Sequence, residues 1–366
     1  MAPILSEADN ARIRNTLSYF VDGVTGGRRI DEDALTVVSI DKLRTEVTSR
    51  LASSSLGDHM DVITAKNQLN YSCNVAADFA NGRGFEYQVV YALLTLMFFH
   101  AEDILDDKPD VIANLQRNLA TGRPFGDPML DWFAREFAPQ LWDHFDPLVA
   151  NMILVACYDF INGIGIEHVT QDAAVHPKAE RFPDWLRFKT GLSPMYALLA
   201  LARHSDKDRK NAEGFGRYVQ AVPDVIVFTN IVNDVISFYK ELLAGEKGNY
   251  IDHRAEKEGV DVITAQRILA EEGVAVYERI RATLADAPEY RANFEAYARG
   301  ITHFHTSSPR YRLRELFGNL SSQNVTNGCK VNGVNGTNGV VNGTNGVVNG
   351  TNGVVKGTNG VNGHSN

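Results

Sequence analysis

Cysteine is scarce: Cys73, Cys157 and Cys329 are the only three in 366 residues, and they stand far apart. They give neither a disulfide framework nor a zinc-binding spacing. Blocks of Lys or Arg are also missing, and with a net charge of −9 and a pI of about 5.6 nucleic acid is not the expected partner. The N-terminus MAPILSEADNARIRNTL lacks a signal-peptide core, and no unbroken apolar run reaches about 18 residues. The expectation is a soluble, cytoplasmic chain with no membrane span. P-loop, HExxH and nucleophile-elbow patterns are absent, and GIGIEH (Gly163 to His168) follows no strand pattern that would make it a dinucleotide loop. The ten histidines are scattered, and His303 and His305, two apart, do not share a helical face, so they read as packing or surface residues.

Alternating β-branched runs are few, and none demands a sheet. Helical periodicity recurs instead from about residue 40 to 315, punctuated by Gly, Pro and Asp turns, after a first amphipathic stretch over 5–22 and a polar turn at DGVTGGRR. The 44% of hydrophobic residues can bury a sizeable core, so the chain reads as one all-α domain over residues 1–318. Residues 319–366 change character. They form a short-period Asn-Gly-Thr/Val repeat whose valines bury too little surface to offset glycine's chain entropy, so disorder is expected there.

One stretch organises the rest, the helical run over residues 223–249. Asn233, Ser237 and Glu241 stand at successive steps of four within it, and at about 100° per residue each step drifts only ~40°. Three oxygen donors therefore share one face of a largely apolar helix, a donor set that suits Mg²⁺ better than Zn²⁺. A second acidic group ends the apolar run over residues 87–110, where Asp103, Asp106, Asp107 and Asp110 follow one another. A helix C-terminus already carries partial negative charge, so these carboxylates would repel the helix end and each other, and a cation would relieve them. Pro109 marks where that helix should stop.

DDKPD (Asp106 to Asp110) resembles the aspartate-rich DDxxD motif of class I terpene synthases, and NDVISFYKE (Asn233 to Glu241) resembles their second metal motif, N-D-x-x-S-x-x-x-E. Arg187, in RFKTGLSP, resembles the diphosphate-sensing arginine, with Gly191 at the helix break that follows it. Arg310-Tyr311, in SSPRYRL, resembles the late Arg-Tyr pair of fungal and bacterial sesquiterpene synthases. The wording SFYKE is most similar to the trichodiene synthase-like branch. Together these motifs cover about residues 60–318, and they occur in the family's order.

The resemblance implies a helical bundle around a central apolar cavity, a farnesyl diphosphate substrate and three Mg²⁺ ions, with homodimerisation as a family habit. It makes Asp106 the main aspartate ligand, Asp107 and Asp110 further acids of that motif, and Asn233, Ser237 and Glu241 the ligands of the third ion. Arg187, Lys240, Arg310 and Tyr311 become the groups that hold the diphosphate. Phe98, Phe99 and Thr95 before the first motif, and Ile226 and Thr229 before the second, become candidates for the cavity wall. The expected reaction is ionisation and cyclisation to a sesquiterpene of trichodiene, longiborneol or related type. A chain-elongating prenyltransferase, which carries two DDxxD motifs, and a non-catalytic isoprenoid-binding protein remain as alternatives. Deleting residues 321–366 is expected to leave turnover nearly unchanged, which steady-state kinetics on the truncated chain would check.

Overall fold

A computed structural model describes residues 5–26, 40–65, 67–105, 107–170, 175–176, 178–203 and 213–317. Among these residues every regular element is helical and no strand occurs, so the all-α reading holds. Twelve helices have nine residues or more: α1 Glu7–Thr25, α2 Ile40–Ala52, α3 Gln68–Phe79, α4 Phe85–His100, α5 Pro109–Thr121, α6 Pro147–Thr170, α7 Phe182–Thr190, α8 Ser193–Leu201, α9 Val222–Ala244, α10 Tyr250–Glu258, α11 Val262–Thr283 and α12 Pro288–Ser307. The tail expected beyond residue 318, and Asp106 with it, lie outside the described residues.

Local sequence sets the helix ends. Helix α1 begins with a Ser6–Asp9 capping box and runs three residues beyond the expected stop, because Gly26 takes the left-handed conformation and donates its N–H to the Asp22 carbonyl. Helix α9 has Pro223 in its first turn and ends in the same way at Gly245. Asn249 then caps α10 by accepting from the Asp252 N–H at 2.9 Å.

Helix α9 is the centre of the bundle. Its residues Val225, Phe228, Ile231, Val232, Val235 and Ile236 are buried, and it packs against α8, α11 and α12. Helix α11 covers it in turn beneath α1, and α3 joins α4 to α12. Two close approaches depend on glycine. A Cβ at Gly300 of α12 would collide with the Asp78 carbonyl oxygen of α3, and one at Gly163 of α6 would come within 2.5 Å of the Lys189 carbonyl oxygen of α7. Gly163 thus serves helix packing, in line with the rejection of GIGIEH as a nucleotide loop.

By length and composition α6 and the stretch Val219–Ala244 could each cross a bilayer, yet 56% and 72% of their most apolar windows lie buried inside the fold. That burial is what central helices of a bundle require.

The end of α4 departs from the expected plan. The helix leaves the α geometry at His100, continues as one π turn over Ala101–Leu105, and the chain restarts as α5 at Pro109. Pro109 therefore opens a helix, and Asp110 sits in the first turn of α5, where the helix dipole favours a carboxylate. Asp103 accepts from the Gln68 side chain at 2.8 Å. The repulsion argued for four acids at one helix end is thus partly relieved by the protein itself.

The joint between α4 and α5 is held from behind by Asp127, which is 1% exposed. It accepts from His100 Nε2 at 2.9 Å, Lys108 Nζ at 2.8 Å and the Leu130 N–H at 3.1 Å. Burial alone would raise its pKa, but the hydrogen bonds from His100 and Lys108 outweigh burial and hold the carboxyl well below the ordinary carboxylate range. A depressed pKa stabilises the fold above the unfolded value of about 4, and that contribution fades as pH falls toward the folded pKa. Asp127→Ala is expected to destabilise the chain by about 3 kcal/mol at neutral pH, the scale for removing one partner of a buried pair, with urea denaturation as the check.

Candidate active site

The polar face of α9 opens into a cavity of about 430 Å³, within the usual range for small-molecule sites. Asn233, Ser237 and Glu241 all line it, as their spacing requires, and Asp234 and Lys240 join them. The opposite walls come from Arg187 on α7, His305 on α12, and Arg310 and Tyr311 in the short 3₁₀ turn after α12. All four expected basic and phenolic residues therefore converge on the face that carries the oxygen donors.

Arg187 is already engaged there. Its guanidinium grips Asp234 with Nε–Oδ2 at 3.0 Å and Nη2–Oδ1 at 2.8 Å, and Nη2 also donates to Asn233 Oδ1 at 3.0 Å. Burial works against the arginine charge, but Asp234 outweighs it and holds the guanidinium pKa up. Burial pushes the Asp234 carboxyl up as well, with Arg187 pulling it back. Lys240 reaches the site too, with Nζ 3.6 Å from Glu241 Oε1 and 3.8 Å from Glu246 Oε1. Glu241 is steadied from the other side, its Oε2 accepting from Asn249 Nδ2 at 3.2 Å.

Backbone geometry brings α7 onto α9. The chain breaks between α7 and α8 at Gly191, where the sequence places the break, and Leu192 takes a positive φ of 46°. A Cβ at Gly191 would collide with Asn230 Oδ1, so a larger residue there would have to displace the Asn230 side chain.

Two oxygens in this wall lack protein partners. Ser237 Oγ and Asn230 Oδ1 are buried, and neither has a hydrogen-bond partner among the described residues. Burying such groups without a partner is costly, so an oxygen-seeking cation or its water would satisfy them. Among the described residues no three His, Cys, Asp or Glu side chains form a metal-binding group. An amide, a hydroxyl and a carboxylate on one helix face nonetheless fit Mg²⁺, which keeps several waters and takes few protein ligands.

The aspartate-rich side differs from expectation. Asp107 and Asp110 are exposed and neither lines the cavity, because the turn after the π segment and the start of α5 carry them away from it. Asp106 lies outside the described residues. Two acids not singled out in the sequence line the cavity instead, Glu102 in the π turn and Glu167 near the end of α6. Glu102 is open to the cavity, yet the protein around it pushes its carboxyl up to about 7, chiefly by burial, against the pull of Arg310.

His305, expected as a packing or surface residue, does pack, stacked on Phe79 at 6.2 Å and tilted against Tyr311 at 4.9 Å. It also touches the site, with Nε2 3.2 Å from Asn233 Nδ2 and Nδ1 2.7 Å from the Ile301 carbonyl. Burial lowers its pKa to about 4, with Arg310 and Arg187 adding to the effect, so the imidazole is neutral. Its spacing from Asn233, 72 residues away on another helix, leaves no local trace in the sequence.

Aromatic rings make the apolar wall. Phe98 and Phe99, as expected, line it with Tyr71, Phe79, Tyr196 and Phe304. Phe79 is the hub, with edge-on neighbours Tyr196 at 5.5 Å, Tyr297 at 5.6 Å and Phe304 at 5.6 Å. Thr229 is at the wall, but Ile226 is not, and Thr95 is fully buried behind it with its hydroxyl 3.3 Å from Tyr196 Oη.

The trichodiene synthase (TRI5) family profile matches residues 87–332, running past the boundary expected at 318. Alpha-cuprenene synthase COP6 of Coprinopsis cinerea is 32% identical over 233 residues, covering 64% of this chain and 69% of that protein. Monoterpene synthase 25 of Postia placenta is 32% identical over 235 residues, 64% of this chain and 68% of its own length. Longiborneol synthase CLM1 of Gibberella zeae is 31% identical over 189 residues, 50% of this chain and 54% of that protein. Among solved structures, linalool/nerolidol synthase from Streptomyces clavuligerus superposes with a TM-score of 0.57 at 15% identity, over 76% of this chain and 99% of that one. That likeness speaks for the fold, and the profile match over most of the chain speaks for descent. With the converging motifs, they establish that the chain belongs to the trichodiene synthase family and is a terpene synthase, a lyase acting on a prenyl diphosphate.

Proposed function

We propose that the cavity takes farnesyl diphosphate with Mg²⁺ and converts it to a sesquiterpene. The observation that carries this reading is the make-up of one cavity lining, which joins the oxygen donors Asn233, Ser237 and Glu241 and the cations Arg187, Lys240 and Arg310 to the rings of Phe79, Phe98, Phe99 and Phe304. Asn233, Ser237 and Glu241 would hold an ion, with Asp106 its counterpart on the aspartate-rich side, and three ions are the expected number. Bound Mg²⁺ supplies Lewis acidity that neutralises the departing diphosphate.

The chain's own residues do the rest. Arg187 and Arg310 present paired N–H donors, and Lys240 and Tyr311 add one more donor each, to diphosphate oxygens. Such preorganised donors favour heterolysis of the C1–O bond, in which the electron pair leaves with diphosphate and an allylic cation remains. Phe79, Phe98, Phe99 and Phe304 offer π faces to that cation as it migrates. The apolar wall keeps water from it until it loses a proton or captures a water molecule. The cation at Arg187 must exchange part of its grip on Asp234 for the substrate, so diphosphate binding and the Asn233 site are linked.

A shorter substrate is the second reading, favoured by one observation: a relative at 32% identity is named a monoterpene synthase. Incubation with geranyl, farnesyl and geranylgeranyl diphosphates, with and without a chelator, separates the two by gas chromatography with mass detection. A discrete, chelator-sensitive C15 product is expected. Only C10 products would replace the substrate, and a chelator-insensitive product would remove the metal. Glu241→Gln should lower kcat/KM at limiting Mg²⁺ by about 100-fold, at the upper end of outer-ligand losses or beyond, with the helical circular dichroism unchanged.

A further inference from the structure

We infer that His305 is a positioning residue that takes the NH₂ of the Asn233 amide and so keeps its oxygen, not its nitrogen, available as a metal ligand. The inference rests on the reading of Asn233 as a metal ligand and adds a residue to it. Arg187 Nη2, 3.0 Å from Asn233 Oδ1, is a donor with no acceptor capacity, so the amide oxygen must face it. The amide NH₂ therefore faces His305 Nε2 at 3.2 Å, and that nitrogen must accept. At the far side of the ring Nδ1 lies 2.7 Å from the Ile301 carbonyl, which can only accept, so Nδ1 carries the proton. Arginine at one end and a backbone carbonyl at the other leave this chain a single polarity.

The ring cannot readily turn away. It is 4% exposed and held between Phe79, Phe304 and Tyr311, with centroids at 6.2, 5.4 and 4.9 Å. Asn233 needs such a guide more than its neighbours do. The Glu241 carboxylate offers oxygen whichever way it turns and the Ser237 hydroxyl can rotate, but a flipped amide presents an NH₂ that cannot ligate a cation. When substrate draws on Arg187, His305 is the partner that still holds the amide.

The test is a double-mutant cycle of His305→Phe and Asn233→Asp in the full chain. Phenylalanine keeps the ring and removes the acceptor, and aspartate is a symmetric ligand that needs no turning. The readout is the Mg²⁺ concentration giving half of the thermal shift at fixed inorganic diphosphate, followed by the Mg²⁺ dependence of turnover. His305→Phe is expected to raise the half-point at least tenfold with Asn233 in place, and less than threefold in the Asn233→Asp background. In the first background the Mg²⁺ requirement should move more than kcat at saturating Mg²⁺. An equal penalty in both backgrounds, or a change under twofold with Asn233, would overturn the inference by reducing His305 to packing. So would an Asn233→Asp chain with no Mg²⁺ response. A wild-type chain without any shift from Mg²⁺ and diphosphate would overturn the metal reading itself, and this inference with it, a result distinct from the other failures.

Discussion

A row of polar side chains on the central helix of the bundle is the constraint around which the rest is arranged. Asn233, Asp234, Ser237 and Glu241 interrupt a helix whose other faces carry Phe228, Ile231, Val235 and Ile236 in the core. Polar and charged groups in such a place are costly unless each is paired, and removal of a partner leaves the penalty unrelieved. Asp234 therefore takes Arg187, Asn233 takes Arg187 and His305, and Glu241 takes Asn249 and Lys240. Ser237 and Asn230 are left with unmatched oxygens. The helices that supply these partners are fixed by that demand: α7 must break at Gly191 to lie against Asn230, and α6 must carry Gly163 to let α7 approach.

The second polar centre, behind the aspartate-rich segment, works by the opposite logic. Asp127 is satisfied by three donors and does not line the cavity, anchoring the joint where α4 gives way to a π turn and α5 begins. Lys108, inside the DDKPD segment, is thereby committed to structure. The anchor fixes the start of α5, where Asp110 finds its compensation at the helix N-terminus.

Relatives of equal identity bear names that imply different products, and a shared fold carries no product with it. Here Phe79 orders the aromatic wall by edge contacts to Tyr196, Tyr297 and Phe304, and by stacking on His305. The same histidine touches Asn233, so the aromatic wall and the polar face of α9 share one side chain.

The sequence by itself determined the features that local periodicity encodes. Steps of four put Asn233, Ser237 and Glu241 on one face, the family resemblance put a break at Gly191, and the absence of alternating runs left only helices, although α9 stops at Gly245 inside the run read as helical to residue 249. Arg187, Lys240, Arg310 and Tyr311 were legible because they sit in recognisable strings. Tertiary structure decided the rest. Glu102, Glu167, Asp127 and His305 matter through partners that are remote in the chain or on other elements, and no local pattern records such a distance. Asp107 and Asp110 matched a motif as letters, but a π turn and a new helix start swung them out of the cavity. Backbone hydrogen bonding, through where a helix stops, governs where a side chain points, and that choice was made by packing around Asp127.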